Sequence, residues 1–191
     1  MAATGPIIPA LEVTRTYPRT VEARDQTLVL RAMTAGDEES MLEFARGLPA
    51  ADLLFLPMDI TRPEVVAEWV RSIESGRRFT VLAEDQGRLA GYGSLNRQDV
   101  EWSRHLGEIR MIVSPAYRGT GLGGILAREI LEIARGSGLT KIVAQMPRDQ
   151  EGARGVFRKL GFNLESMLAE WVIDREGQTH DLVVMAYDVS E

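Results

Sequence analysis

The stretch that decides the fold is VSPAYRGTGLGG, residues 113–124, where four glycines follow an arginine. Gly119, Gly121 and Gly124 match the pattern G-x-G-x-x-G, which is typical of loops that bind dinucleotides. Glycines let the backbone approach an anion closely, and the start of a following helix attracts negative charge. The loop therefore predicts a site for the phosphate groups of a ligand, with the charge of Arg118 at its entrance. The alternative is a glycine-rich connection that binds nothing.

The segments around the loop fit neither a dinucleotide-binding domain nor a P-loop. A dinucleotide fold needs an acidic residue at the end of the next strand, and the predicted strand KIVAQM, 141–146, has none. The next acidic residue, Asp149, comes too late in the chain. A P-loop ends in Gly-Lys followed by Ser or Thr, and this loop has no lysine. Dinucleotide binding is therefore disfavoured, and affinity for NAD(H) would be its test.

Hydrophobic periodicity on both sides of the loop predicts a mixed order of strands and helices. The predicted strands are 26–33, 78–85, 88–96, 106–114, 141–146, 168–174 and 181–189. The predicted helices are 36–48, 61–76, about 121–136 and 152–162. For the second helix, Thr61 and Glu64 form a capping box in the sequence, and Pro63 occupies the first turn. This order of elements predicts an α+β domain with a largely antiparallel sheet.

We expect one domain over residues 26–191, because a soluble chain of 191 residues usually forms a single core. Residues 1–25 contain three prolines and are predicted to form a loose N-terminal arm. No apolar run is long enough to span a membrane, and the N-terminus lacks the pattern of a secretory signal.

Charge and composition restrict the classes of partner. The formal net charge of −6 argues against a general nucleic-acid binder, which is usually basic, and favours a cationic partner such as an amine. The sequence has no cysteine, which excludes disulfides and thiolate metal sites and fits a cytoplasmic protein. We expect no metal, no nucleic acid and no membrane among the partners.

Two motifs resemble the GNAT (GCN5-related) N-acetyltransferase family. The stretch VSPAYRGTGLG resembles the family's central motif, R/Q-x-x-G-x-G/A after a strand that ends V-x-P. The stretch FRKLGF, 157–162, resembles the later helix end Y-x-K-x-G-F, and the order of elements from residue 28 onward also follows the family. The resemblance implies a mixed, largely antiparallel central sheet flanked by helices. It also implies an acetyl-CoA-dependent enzyme that transfers acetyl directly to a primary amine of a small molecule, a protein lysine or a protein N-terminus.

The resemblance further implies how acetyl-CoA would be held, without a metal. The loop amides would hold the pyrophosphate, and the backbone of the preceding strand would pair with the pantetheine amides. In the family that strand splays from the next one, and the gap admits the pantetheine arm. The expected cofactor-binding residues are Met111, Ile112, Val113, Arg118, Gly119, Thr120, Gly121, Leu122, Gly123, Gly124, Gln150 and Phe157.

Glu108, on the strand that leads into the loop, is the candidate catalytic base, because an amine must lose a proton to be acetylated. The alternative for Glu108 is a structural salt bridge with Arg110, which shares its face of the strand. Glu101 and His105 are nearby substitutes for the base.

The general acid is where the sequence departs from the family. Many members have a tyrosine at the position of Phe157, and phenylalanine cannot donate a proton. Tyr187, Tyr92 or water would then protonate the thiolate, or the thiolate leaves unassisted. Gln150 stands where the family often has an asparagine. This departure keeps a second hypothesis open, a non-catalytic acyl-CoA-binding module with the same fold.

Two further expectations concern the surface. In the family, acceptor specificity lies mainly in the first two helices and the last hairpin, here 36–76 and 168–187. The exposed edge of the terminal strands permits a homodimer.

Overall fold

Eight strands form one sheet in the computed structural model, which describes residues 10–54, 56–97, 100–174 and 176–189. The spatial order is β1-β2-β3-β4-β5-β6-β8-β7. The strands are β1 Arg19–Ala23, β2 Gln26–Ala32, β3 Arg78–Asp85, β4 Arg88–Arg97, β5 Leu106–Val113, β6 Lys141–Pro147, β7 Asn163–Ile173 and β8 Thr179–Asp188. Within these residues every neighbouring pair is antiparallel except β5 and β6. The predicted α+β class with a largely antiparallel sheet is confirmed.

Helices cover both faces of this sheet and create two cores. The helices are α1 Glu38–Arg46, α2 Ala50–Leu53, α3 Pro63–Glu74, α4 Leu122–Gly136 and α5 Glu151–Lys159. Because successive side chains on a strand point to opposite faces, Val81 and Ala83 of β3 pack in the core that contains α4. Leu82, between them, packs in the core that contains α1 and α3. None of the helices in the described part of the chain is long and apolar enough to cross a membrane.

The start of α3 differs in detail from the prediction. Pro63 occupies the first helical position as expected, but the residue at the N-cap is Arg62, and no side chain caps the helix. The hydroxyl of Thr61 donates instead to Asp59 at 2.6 Å. The capping box of Thr61 and Glu64 therefore does not form.

The predicted loose arm over residues 1–25 is contradicted in its described part. Residues 19–23 form β1, which pairs with β2 along its whole length. The buried carboxylate of Glu129 on α4 accepts hydrogen bonds from Arg15 at 3.0 Å, Tyr17 at 3.0 Å and Arg19 at 2.9 Å. These bonds fix the segment to the core, whereas the part of the prediction on residues 1–9 lies outside the described residues.

Candidate active site

Strands β5 and β6 diverge in the middle of the sheet. Only three residue pairs join them, the last being Glu108 with Val143. Beyond that pair, residues 109–113 of β5 have a strand partner on the β4 side alone. Backbone N–H and C=O groups need hydrogen-bond partners, so this segment offers unpaired groups toward the opening. The splayed strands that the resemblance implied are present.

A cleft of about 400 Å³ occupies this opening. Its walls come from β5, the end of β6, α5, β7 and the chain around α2. Five residues predicted from the sequence line it: Glu108, Met111, Ile112, Gln150 and Phe157. The predicted Val113 and the loop residues 118–124 do not line the cleft, because they follow the end of β5 and lead into α4.

The glycine loop presents its backbone donors without internal partners. Gly119 has φ of 74° and Gly121, at the N-cap of α4, has φ of 93°, a left-handed conformation that favours glycine. Within the described residues, no acceptor is present for the backbone amides of the loop residues Gly119, Thr120, Gly121, Gly123 and Gly124. The Thr120 hydroxyl donates to the carbonyl of Tyr117 at 2.7 Å, which fixes the turn. Free amides at a helix start form an anion-binding site.

Arg118 does not supply the free charge that the sequence predicted. Its guanidinium forms an ion pair with Asp52 of α2 and donates to the carbonyl oxygen of Val113 at 3.2 Å. Arg128, which was not predicted from the sequence, lies beside the loop: its guanidinium nitrogens are 3.7 and 3.8 Å from where a Cβ on Gly124 would be. The sequence signal is the four-residue spacing between Gly124 and Arg128, because a helical side chain points back toward the preceding turn.

Glu108 lies at the cleft and also forms the salt bridge with Arg110 that the sequence offered as the alternative. It lines the cleft, and its carboxylate accepts hydrogen bonds from Arg110 Nε at 3.1 Å and from Nη2 at 2.8 and 2.9 Å. Its side chain is 15% exposed, so the carboxylate is held in place at the wall of the cleft. The substitutes Glu101 and His105 are exposed and do not line the cleft.

Among the described residues, no tyrosine lines this cleft. Phe157 is buried in its wall and packs edge-on against Phe162, with 4.9 Å between the ring centroids. The hydroxyl of Tyr187 accepts a hydrogen bond from Arg135 at 2.6 Å, away from the cleft. Tyr92 faces a neighbouring pocket beneath α3. Neither tyrosine that the sequence offered as the acid therefore reaches the cleft.

That neighbouring pocket, which we call the α3 pocket, is lined by Arg78, Tyr92, Ser94, Asn96 and Arg110 together with apolar residues. Its polar floor arises from strand register. The pairing of β3 with β4 and of β4 with β5 brings Arg78, Asn96 and Glu108 into one row on the face that α3 covers. Arg78 was not among the residues predicted from the sequence, although every second residue of the three strands is polar here.

Arg78 lies stacked on an indole ring in this pocket. Its guanidinium carbon is 5.0 Å from the centroid of Trp69, a cation–π distance. Burial, together with the nearby charge of Arg110, lowers the pKa of Arg78 to about 10. The pocket therefore holds a guanidinium whose charge is only partly compensated.

The chain is similar to known acetyltransferases over most of its length. The model of the Acetyltransferase (GNAT) family matches residues 49–162. The N-alpha-acetyltransferase RimI of Mycobacterium tuberculosis is 27% identical over 144 residues, which cover 73% of this chain and 81% of RimI. The putative phosphinothricin acetyltransferase YwnH of Bacillus subtilis is 23% identical over 172 residues, covering 85% of this chain and 100% of YwnH.

A solved structure has the same fold. The structure of yncA, a putative acetyltransferase from Salmonella typhimurium with its cofactor acetyl-CoA, has a TM-score of 0.75 and 20% identity. The similarity covers 86% of this chain and 95% of that chain.

Proposed function

The chain belongs to the GNAT acetyltransferase family, and from this premise we propose that it transfers acetyl from acetyl-CoA directly to a primary amine. The proposal rests on one observation: β5 and β6 diverge next to the N-terminus of α4, where the backbone amides are free. The two features provide an anion site and an open strand edge at neighbouring positions. A ligand with a phosphate part and an extended amide chain matches both.

The free loop amides and the open edge of β5 support acetyl-CoA as the ligand. The free amides of residues 119–124 would bind the pyrophosphate, with the charge of Arg128 beside them. The backbone of Met111, Ile112 and Val113 would pair with the pantetheine amides, as a further strand would. Gln150 and Phe157 would contact the thioester end from the α5 side of the cleft. The bound thioester supplies the electrophilic carbonyl.

We propose that Glu108 accepts the proton of the acceptor amine. Its position on the cleft wall supports this role, and the three hydrogen bonds from Arg110 hold the carboxylate in one orientation. As the amine nitrogen bonds to the acetyl carbon, the C–S bond breaks, the amine proton passes to Glu108, and the thiolate takes a proton from water. The sequence has no cysteine, and this direct route needs no protein nucleophile.

Calorimetric titration with acetyl-CoA and with NADH tests the cofactor. We expect micromolar affinity for acetyl-CoA in the wild type and its loss in Gly121→Trp, which fills the anion site. Gly87→Trp is the matched control, because Gly87 also has positive φ and open space but lies in the turn between β3 and β4. Absence of acetyl-CoA binding, or binding of NADH in its place, would refute the proposal.

Turnover with a panel of amines separates catalysis from binding alone. Glu108→Gln should lower kcat by about 10²–10⁴-fold while acetyl-CoA still binds, because a general base contributes that much. Glu101→Gln, on the exposed turn before β5, should leave kcat unchanged. If acetyl-CoA binds and no amine is acetylated, the protein is the non-catalytic acyl-CoA-binding module, which Phe157 at the usual tyrosine position also allows.

We also propose that the protein forms a homodimer through β7. This strand is at one end of the sheet and exposes Leu164, Met167, Trp171 and Ile173. An open edge with large apolar side chains favours pairing with another chain. Light scattering should show a dimer that Leu164→Arg weakens. Val100→Arg, at another exposed apolar position, is the control, and a wild-type monomer would contradict the proposal.

A further inference from the structure

The guanidinium of Arg78 has no ion-pair partner among the described residues. The two carboxylates that act on it electrostatically are Glu68 and Glu108. Glu68 is bound to Arg71 at 2.5 Å, and Glu108 is bound to Arg110 at 2.8 Å. Both carboxylates therefore have another arginine as their partner. The aromatic face of Trp69 is the main compensation that Arg78 receives.

A partly buried cation without a carboxylate is costly, and proteins usually pair such groups. The lowered pKa of Arg78 agrees with this cost. The α3 pocket contains a second unmet requirement: the side-chain oxygen of Asn96 is buried and accepts no hydrogen bond within the described residues. A group that brings both a negative charge and an N–H donor would satisfy the two side chains together.

The α3 pocket lies directly beside the cleft between β5 and β6. Leu56, Pro57 and Arg110 line both spaces. Arg78, Asn96 and Glu108 stand in one row across β3, β4 and β5, and neighbouring strands lie about 4.8 Å apart. The Cα atoms of Arg78 and Glu108 are thus about 10 Å apart, and their long side chains reduce the gap further. Arg78 and Glu108 therefore lie on the same face of the sheet, two strands apart.

We infer that the acceptor is a small amine that carries a carboxylate, and that Arg78 binds this carboxylate in the α3 pocket. The inference rests on the proposed acetyltransferase function and names the substrate class. The planar guanidinium matches a planar carboxylate, and Asn96 accepts an N–H of the same acceptor. An amino acid has both an amine and a carboxylate, whereas a protein lysine side chain lacks the carboxylate.

The test compares amino acids with their carboxamides, which differ only in the negative charge. Acetyl-CoA turnover is measured for the wild type, for Arg78→Met and for Arg88→Met. Arg88 is the matched control, an exposed arginine at the far end of the neighbouring strand. The wild type and Arg88→Met should prefer an amino acid over its carboxamide by about tenfold or more in kcat/KM, as expected for a charged hydrogen bond. In Arg78→Met the preference should fall to near unity.

Binding provides a readout that does not depend on turnover. N-acetyl amino acids and their carboxamides, the products of the same panel, are titrated calorimetrically in the presence of CoA. The acids should bind the wild type more tightly, and Arg78→Met should abolish the difference. Equal use of acids and carboxamides, an acid preference that survives Arg78→Met, or a protein that binds acetyl-CoA but none of the acids would each overturn the inference. Failure to bind acetyl-CoA would instead refute the proposed function.

Discussion

Replacing Arg78 by methionine should make the protein more stable. The lowered pKa of about 10 corresponds to a cost of about 3 kcal/mol for holding the guanidinium charged in the α3 pocket. Methionine keeps the apolar packing of the side chain and loses the cation–π contact with Trp69, which contributes about 1 kcal/mol. The net gain is about 2 kcal/mol, and for a chain of this length that raises Tm by about 4–8 °C.

Thermal and urea unfolding of the wild type, Arg78→Met and Arg88→Met measure this gain, and its pH dependence identifies the cause. In the unfolded chain the guanidinium is charged in water, whereas the folded pKa of Arg78 is lowered. The unfolded state therefore binds more protons above pH 10, and wild-type stability rises relative to the methionine variant. The difference in Tm between the two should stay constant up to about pH 9 and narrow as the pH rises through about 10.

Two results would refute this reasoning. A fall in Tm for Arg78→Met would mean that Arg78 stabilises the fold and is not held ready for a ligand. An equal rise in Tm for Arg78→Met and Arg88→Met would mean that removing any positive charge stabilises the protein. In either case Arg78 would not be a buried cation that lacks compensation, and the α3 pocket would not be expected to bind a carboxylate.

Three further predictions concern the fold. Glu129→Gln should lower the free energy of unfolding in urea by about 2–4 kcal/mol, because it breaks a buried charged network. Glu43→Gln, at an exposed position, should leave that free energy unchanged, and equal losses in the two variants would contradict the prediction. For Asp37, burial works to raise the pKa, but the hydrogen bonds and ion pair of its carboxylate outweigh burial and lower it. Its stabilisation is complete above the ordinary carboxyl pKa of about 4 and is lost as pH falls through the folded pKa, so Tm should fall more steeply with acid in the wild type than in Asp37→Asn. Parallel curves would refute that assignment. Gly91→Ala should destabilise by about 1–3 kcal/mol, because its Cβ would lie 2.6 Å from a carbonyl oxygen of β5. Gly155→Ala, in open space on α5, should stabilise by up to about 1 kcal/mol, and calorimetry that reversed this order would be inconsistent with the packing described.

Most of the fold could be predicted because local patterns determine most elements. The turn between β3 and β4 has Gln86 and Gly87 at positive φ, so the two strands were predicted within one residue of their bounds. Two regions lacked such a pattern. β1 is short, and among the described residues its outer edge has no strand partner. β7 begins at Asn163, whereas the predicted strand begins at residue 168. The first residues of β7 were not predicted because they are largely exposed and show no apolar alternation.

The candidate site could be predicted where chemistry requires a particular residue type. The glycine loop is visible in the sequence because positive φ at Gly119 and Gly121 favours glycine. The ion pair between Arg118 and Asp52 joins residues 66 positions apart, and no local pattern reports such a contact. Arg78 was missed for a similar reason, since its lack of a partner appears only when the ion pairs of all its neighbours are known.

The unpaired backbone of residues 109–113 has a consequence for how this protein can change over time. Amide and carbonyl groups are the same whatever side chain a residue has, so the hydrogen-bonding groups of this strand are not encoded by residue identity. Substitutions that respect the two cores leave those groups in place, whereas a substitution of Arg78 removes its group outright. The strand can therefore keep its role while its sequence drifts, and the acceptor pocket can be altered one side chain at a time on a constant frame.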